Sequence, residues 1–521
     1  MPRQPHILWV DDEIDLFEPH VRFLNDKGYR VTTVTNGADA VDRVRETRFD
    51  LLFLDEQMPG LDGLETLEKL KDESPEVPVV MVTKSEEEGL MEDALGSQIS
   101  DYLTKPVNPS QILLTCKRLL ERERIRGEKV SQEYLQAFQR ITRAINEPLD
   151  YMEWVDIYRE LVKYTLELED DEGVQQILTD QYREANGAFG RFVEEMYPEW
   201  IANADDPDRA YDPLLSQDLM DEHVFSHLEQ DDPVVFFVID CMRYDQWLEL
   251  EELLYPHYSI ERDFYYSILP TATPYSRNSI FSGLLPAQIE EEYPQLWARG
   301  EEDEHSRNRH EADLLRDQLG REGLDQRVNY EKILTAKEGQ SIATSSSDLL
   351  QFDLSAVVVN FVDILAHSRS DSDVLKQIAP DEKAYRALTR TWFEHSWLLD
   401  LFKRIAESDC KVVVTTDHGA VRSLNATKVI GDRETSTSLR YKYGRNLQCD
   451  EQHAIYVKDP RTFGLPRSGI NTNYILAKED YYFVYPTNYH HYERLYNDTL
   501  QHGGASMEEM ILPVATLTPR R

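Results

Sequence analysis

Residues 51–60 read LLFLDEQMPG. Four apolar residues that suit a buried strand run straight into a carboxylate, Asp55, and a Pro-Gly turn signal follows. The same pattern repeats on both sides of this stretch. ILWV runs into Asp11-Asp12, YRVTTV follows, VPVVMVT ends at Thr83, and SDYLT precedes Lys105-Pro106. Amphipathic segments separate these runs, so His6 to about Leu120 reads as five βα units, the pattern of a parallel doubly wound sheet. In such a sheet the strand C-termini meet along one edge, where ligands bind. That edge gathers Asp11, Asp12, Asp55, Thr83 and Lys105. Clustered carboxylates repel one another and need a cation, and Mg²⁺ prefers hard oxygen ligands. Asp55 is then placed to accept a phosphoryl group, with Lys105 neutralising the charge that develops.

VDDE, LDEQMPG, VTK and the YLTKP stretch, in this order over residues 10–106, resemble the response-regulator receiver family. The resemblance implies a CheY-like fold with Asp55 phosphorylated by a sensor histidine kinase. It also implies Asp11 and Asp12 as the acidic pair, with Asp12 the direct Mg²⁺ ligand and the Gln57 carbonyl another. Thr83 and Tyr102 would form the switch pair, and a cis bond before Pro106 would aim Lys105 at the site. Homodimerisation on phosphorylation is the output it implies.

Beyond the receiver, residues 121–228 read as helical, with amphipathic runs at Gln132 to Ile145, Met152 to Leu168 and Gly173 to Tyr197. From residue 229 to 521, near-continuous apolar runs return: VVFFVID, AVVVNFVD, KVVVTTD, HAIYV and YYFVYP. Such runs suit strands covered by helices on both faces. The expected architecture is a receiver (1–120), a helical middle domain (121–228) and an α/β domain (229–521). The acidic tract Glu301 to Asp313 reads as a surface loop.

Three of these runs deliver carboxylates to strand ends, namely Asp240, Asp363 and Asp417. His367 follows Asp363 by four positions, His418 adjoins Asp417, and His502 opens HGGAS. Buried carboxylates need cations or donors, so this set points to metal. Mixed His and Asp ligands suit Zn²⁺ or Mn²⁺ better than Ca²⁺. A nucleophile is expected in PTATPYSRNSIFSG (270–283), where a strand, YYSILP, gives way to hydroxyl-rich sequence and a helix expected from about Tyr275. A hydroxyl at a helix start gains help from the dipole when it meets phosphate.

The DH pair and HGGAS resemble the alkaline phosphatase superfamily, and within it the PglZ type. Members often place the nucleophile ten residues before the Gly of a Thr-Gly or Ser-Gly pair, which here points from Ser282-Gly283 to Thr273, with Thr271 the alternative. The resemblance implies two zinc ions, one on Asp240, Thr273, Asp417 and His418, the other on Asp363, His367 and His502. Threonine rather than serine leans the expectation toward phosphodiesters. Arg243 reads either as a phosphate ligand or as half of a surface salt bridge. His453, His490 and His491 have no spacing that brings them to the metals. Tyr481 to Tyr492 reads as sheet core in preference to a base-stacking platform. Receiver, helical middle and PglZ domain in this order resemble the PorX-type response regulators. That implies phosphodiester or oligonucleotide substrates and partners among type IX secretion or sigma-factor proteins.

The chain carries 97 acidic against 56 basic residues, a formal charge of −41. Duplex DNA is held by Lys and Arg on phosphates, and no basic recognition helix stands out, so a DNA-binding regulator is disfavoured. The acidity reads as a solvated surface or a face for a basic partner. No run reaches the roughly 20 apolar residues of a membrane helix, and no signal peptide precedes Ile7, so a cytoplasmic protein is expected. The four cysteines show no paired spacing and read as reduced thiols. The competing functional expectation is a non-catalytic effector that acts by phosphorylation-dependent protein contact.

Overall fold

The computed structural model describes residues 4–83, 99–116, 119–120, 122–169, 172–204, 206, 209, 212–228, 233–297, 308–431, 438–467, 469 and 471–520. The chain divides into two compact units, Met1–Leu135 and Gln136–Arg521.

In the first unit the strands are β1 (His6–Val10), β2 (Arg30–Val34), β3 (Leu51–Asp55), β4 (Val79–Thr83) and β5 (Asp101–Thr104). They form one sheet in the order β2-β1-β3-β4-β5, every pair parallel. This is the doubly wound arrangement expected from the alternation of apolar runs and amphipathic segments. Helices α1 (Glu18–Asp26), α2 (Gly37–Glu46), α3 (Gly63–Glu73) and α4 (Pro109–Cys116) connect or follow the strands. Alternate strand residues feed two separate cores, one around Trp9, Phe53 and Ile112, the other around Leu8, Leu52 and Leu67. That explains why β1, β3 and β4 are buried along their whole length and read as continuous apolar runs. Lys84 of VTK lies outside the described residues.

A long helix, α5 (Arg122–Ala144), precedes α6 (Tyr151–Glu167) and α7 (Glu172–Ala202). The start of α6 carries a reciprocal cap: the Asp150 carboxylate accepts from the Glu153 N–H, and the Glu153 carboxylate accepts from the Asp150 N–H. In the second unit α6 and α7 pack their aromatic stripe, Trp154, Phe189 and Trp200, around Tyr266 of β7 (Tyr258–Tyr266).

The main sheet of this unit also contains β6 (Val234–Ile239), β8 (Val328–Ile333), β9 (Leu354–Val359), β10 (Lys411–Thr415) and β11 (Ile511–Pro519). Its order is β7-β11-β10-β6-β9-β8. The four strands β10, β6, β9 and β8 are parallel, and β11 pairs antiparallel with both β10 and β7, so β7 runs in the same direction as the four. The parallel strands bring their C-terminal ends to one edge, and the chemistry of this unit collects there. YYSILP is not a strand of its own: Tyr265 and Tyr266 end the nine-residue β7, and the chain then leaves the sheet. The acidic tract is also corrected. Residues 301–307 lie outside the described residues, but Glu311 opens a helix, α10 (Glu311–Arg321), and is 1% exposed rather than on a surface loop.

Candidate metal centres and nucleophile

At the C-terminal edge of the first unit, Asp11, Asp12 and Asp55 bring one carboxylate oxygen each to within 4.8 Å of one another. Lys105 Nζ lies 2.9 Å from Asp11 Oδ2 and 3.0 Å from Asp55 Oδ1. Burial raises the Asp55 carboxyl above its ordinary range even with Lys105 beside it. Burial also opposes the charge on Lys105, but its hydrogen bonds to Asp11 and Asp55 win and raise its pKa. Asp12 is exposed, so the cluster opens to solvent on that side. Thr83 is buried at the end of β4 and donates to Glu56 Oε2 at 2.6 Å. Tyr102 points outward and is 54% exposed. Gln57 sits two residues after Asp55 with an exposed side chain, and the Lys105-Pro106 bond is cis.

The second unit holds two further groups of this kind among the described residues: Asp240, Asp417 and His418, and Asp363, His367 and His502. The His418 and His502 rings stack with centroids 4.2 Å apart and planes inclined by 18°, so the two groups adjoin. His418 Nδ1 lies 3.0 Å from the Gly419 carbonyl and His502 Nδ1 lies 3.2 Å from the Thr271 carbonyl. A carbonyl only accepts, so each Nδ1 carries a proton, which leaves Nε2 as the nitrogen available to a metal. This is the tautomer that a backbone partner imposes on a metal-binding imidazole.

The carboxylates are oriented in the same spirit. Asp240 Oδ2 accepts from Arg277 Nη1 at 2.7 Å and from Asn360 Nδ2 at 3.0 Å, while Oδ1 accepts no hydrogen bond. Asp417 Oδ1 accepts from the N–H groups of His418 (3.1 Å) and Cys241 (3.4 Å), while Oδ2 accepts none. Both residues are at most 1% exposed. Two bare oxygens sealed from water are costly unless a cation meets them. The donor set of oxygens and imidazole nitrogens therefore fits a divalent transition metal. Burial raises the Asp240 carboxyl to about 7, with the charge of Asp417 adding to the shift, and burial raises the Asp417 carboxyl as well. Burial likewise opposes ionisation of Asp363, but the hydrogen bond and charge of His367 override it and hold its carboxyl below the ordinary range.

Thr273 is the first residue of α9 (Thr273–Ser282), two positions before the expected helix start. Its Oγ1 lies 3.0 Å from His418 Nε2, and its side chain is partly accessible. Thr271 is fully buried and committed elsewhere: its hydroxyl donates to the Gly504 carbonyl at 2.8 Å and accepts from the Gly503 N–H at 3.1 Å. The Gly503-Gly504 turn needs both glycines. Gly503 has φ +115°, and a Cβ on Gly504 would stand 2.3 Å from the Ala477 carbonyl oxygen. Cys241, next to Asp240, adopts φ +67° in the left-handed region, which turns its N–H to Asp417.

Some expectations need correction. Asp363 does not end a strand. β9 stops at Val359, and Asp363 lies in the first turn of α11 (Phe361–Asp371), which puts His367 one turn on and 3.3 Å away. Arg243 is neither a surface residue nor free for phosphate. It is 4% exposed, donates twice to Asp245 at 2.9 and 2.8 Å, and lies 2.6 Å from Glu382. His453 stacks on Tyr481, and His490 and His491 lie on a helix, Tyr489–Tyr496, that has no buried residue. Tyr482 and Phe483 are buried, whereas the helix that follows is not.

Arg277, Asn360 and Glu311 were missed in the sequence. Arg277 lies one turn beyond Thr273 on α9 and links Asp240 to Glu311, whose carboxylate it meets at 2.6 Å. The i, i+4 spacing to Thr273 was the one local signal for it.

The fold and sites define a response regulator with an alkaline-phosphatase-like output domain. A family model described as the BREX system PglZ alkaline phosphatase-like domain matches residues 219–517, and models of the response regulator receiver domain and the PorX response regulator linker domain match residues 7–117 and 124–201. The first spans more than half of the chain, which therefore belongs to the PglZ family, in the PorX-type order of receiver, linker and PglZ domain. Among curated proteins, the transcriptional regulatory protein ZraR of Klebsiella oxytoca is 36% identical over 129 residues, 25% of this chain and 29% of the relative. ResD of Bacillus subtilis is 33% identical over 116 residues, 22% of this chain and 48% of the relative. The chain thus spans about half or less of the length of these curated relatives. Among solved structures, the chemotaxis protein CheY4 of Vibrio cholerae is 30% identical, covers 22% of this chain and 99% of its own, and has a TM-score of 0.21. No helix among the described residues is long and apolar enough to cross a membrane.

Proposed function

We propose that a sensor histidine kinase phosphorylates Asp55, and that this controls a zinc-dependent phosphodiesterase whose nucleophile is Thr273. The observation that carries the enzymatic part is the Thr273 hydroxyl at the start of α9, 3.0 Å from His418 Nε2 and beside two adjoining His/Asp groups. In this reading Asp240, Asp417 and His418 hold one cation together with Thr273, and Asp363, His367 and His502 hold the other. Bound divalent metal would lower the pKa of the threonine hydroxyl and neutralise charge on the phosphoryl oxygens.

The chain's own groups supply the rest. Arg277 and Asn360 fix Asp240, and the Gly419 and Thr271 carbonyls fix the two imidazoles. Thr273 opens α9, where the helix dipole favours negative charge. Thr273 Oγ1 would form a bond to phosphorus while one P–O ester bond breaks, the hydroxyl proton passing to the departing alcohol. Water would then break the Thr273 O–P bond, restoring the hydroxyl and releasing a phosphomonoester.

At the receiver, Asp11, Asp12, Asp55 and the Gln57 carbonyl would hold Mg²⁺, Lys105 would balance the phosphoryl charge, and Thr83 and Tyr102 would carry the switch to a dimerising surface. Substrates would be nucleotide-type or oligonucleotide phosphodiesters, and partners would include secretion-system or sigma-factor proteins. The domain limits would be 1–120, 121–228 and 229–521.

Steady-state hydrolysis of bis-p-nitrophenyl phosphate by the full chain, with and without chelator and acetyl phosphate, tests this reading. Chelator-sensitive turnover that Thr273→Val abolishes is expected. Turnover indifferent to both would refute the enzymatic part.

A further inference from the structure

We propose that the linker helix α7 is a working part of the catalytic centre, in which Asn186 and Tyr197 act as positioning residues for the two loops that carry Thr273 and His502. The proposal rests on the hydrolase reading above and extends it to residues outside the PglZ match.

Tyr197 is fully buried, and its hydroxyl accepts from the backbone N–H of Leu269 at 2.9 Å. Leu269 lies four positions before Thr273, in the segment between β7 and α9. Asn186 is 5% exposed and makes a two-point clamp: its Oδ1 accepts from the Met507 N–H at 2.8 Å, and its Nδ2 donates to Glu508 Oε2 at 2.9 Å. Met507 and Glu508 follow directly on the HGGAS segment that begins with His502. The two gripped loops are also tied to each other, through the Thr271 hydroxyl on Gly503 and Gly504 and through His502 Nδ1 on the Thr271 carbonyl. One helix therefore holds both halves of a single loop pair.

The spacing makes the two anchors act together. Eleven positions separate Asn186 from Tyr197, and at about 3.6 residues per turn this is close to three whole turns, so both project from one stripe of α7. Between them the helix comes close to a third segment. A Cβ on Gly190 would meet the Lys478 side chain at 3.2 Å, and one on Gly187 would meet Glu479 at 3.3 Å. Lys478 pairs with Ala505 across an isolated bridge and reaches Glu194 of α7 at 2.7 Å. Movement of α7 along its axis would thus displace the His502 loop from two sides and the Thr273 loop from a third. Hydrogen bonds to backbone amides transmit such displacement better than apolar contacts, which slide.

The test uses the full chain with Tyr197→Phe, Asn186→Leu, Asn186→Asp and the double variant Asn186→Asp/Glu508→Gln. Two readouts are taken: kcat and KM on bis-p-nitrophenyl phosphate, and amide hydrogen exchange by mass spectrometry over residues 267–273, 502–509 and, as an internal standard, 234–239. Tyr197→Phe and Asn186→Leu should each lower kcat about tenfold while KM stays within about twofold, because misplacement of a nucleophile or ligand acts on the reacting geometry. Exchange should rise in the loop that each residue holds and stay unchanged in β6. Asn186→Asp sets two carboxylates face to face, and adding Glu508→Gln restores a donor, so the double variant should recover most of the lost kcat.

Unchanged kcat in both Tyr197→Phe and Asn186→Leu would overturn the proposal. So would activity lost only together with faster exchange in β6, or a double variant no better than Asn186→Asp. If the wild-type chain shows no chelator-sensitive turnover, the hydrolase reading fails, and loop exchange alone then decides whether α7 holds the two loops.

Discussion

Both units gather carboxylates where parallel strands end, yet the two sites treat charge in opposite ways. In the receiver the acids are balanced by one lysine that reaches two of them, and Asp12 stays exposed. In the PglZ domain Asp240 and Asp417 are sealed, and Arg277, itself 1% exposed, is held to Asp240 by Glu311 on its far side. A residue that must gain and lose a phosphoryl group needs an open approach and a neutralising cation that can shift. A site that holds the same charges through every cycle gains from fixed neighbours, because preorganised groups need no reorientation during reaction. A shared strand-edge location says little about rigidity, and burial of the countercharge says more.

The strongest way to break this comparison is to exchange the losses. Asp55→Asn should abolish phosphorylation by acetyl phosphate, seen as loss of a mobility shift, and leave basal diester turnover standing. Thr273→Val should do the reverse and lower turnover by about 10⁴-fold or more, the scale of removing a nucleophile. If either variant abolished both readouts, the two sites would not be chemically separate.

A smaller effect tests the fixed countercharge. Arg277→Gln should weaken zinc binding about 10–100-fold, as expected for a residue that orients a ligand, measured by competition with a chromophoric chelator. Lys105→Gln should leave zinc affinity unchanged and slow phosphorylation instead.

The smallest effect separates the two threonines. Thr271→Val strands the Gly503 N–H and the Gly504 carbonyl, which should cost about 1–3 kcal/mol in urea unfolding. Thr273→Val removes one contact, to His418 Nε2, at a partly accessible position and should cost less, about 1 kcal/mol or below.

Much of this was legible in the sequence. Local period and strand-end acids were enough for the receiver sheet, because each of its strands is short, buried on both faces and closed by a chemically distinct residue. Asp240 and Asp417, which follow the buried strands β6 and β10, were legible for the same reason. What escaped depends on partners distant along the chain. Arg277 meets an acid 34 positions away, and Glu311 lies next to a tract so acidic that it read as solvated. Asp363 was misplaced because Asn360-Phe361-Val362 prolongs an apolar run, whereas in space the strand has ended and a helix has begun. Period alone does not mark that change within three residues. Arg243 read as a phosphate ligand or half of a surface salt bridge because Glu382, which neutralises it together with Asp245, lies in a later helix, Glu382–Glu394.

Asp363 and His367 share one turn of α11, which in the proposed two-zinc reading sets the order in which the ions would exchange. That turn is a ready two-toothed chelate on the outer side, with His367 exposed, while Asp240, Asp417 and His418 are wholly enclosed. Ions at the outer position should trade with the medium quickly and those at the inner position slowly. Brief dialysis against a mild scavenger should therefore strip half of the zinc long before the remainder, in two resolved phases of release.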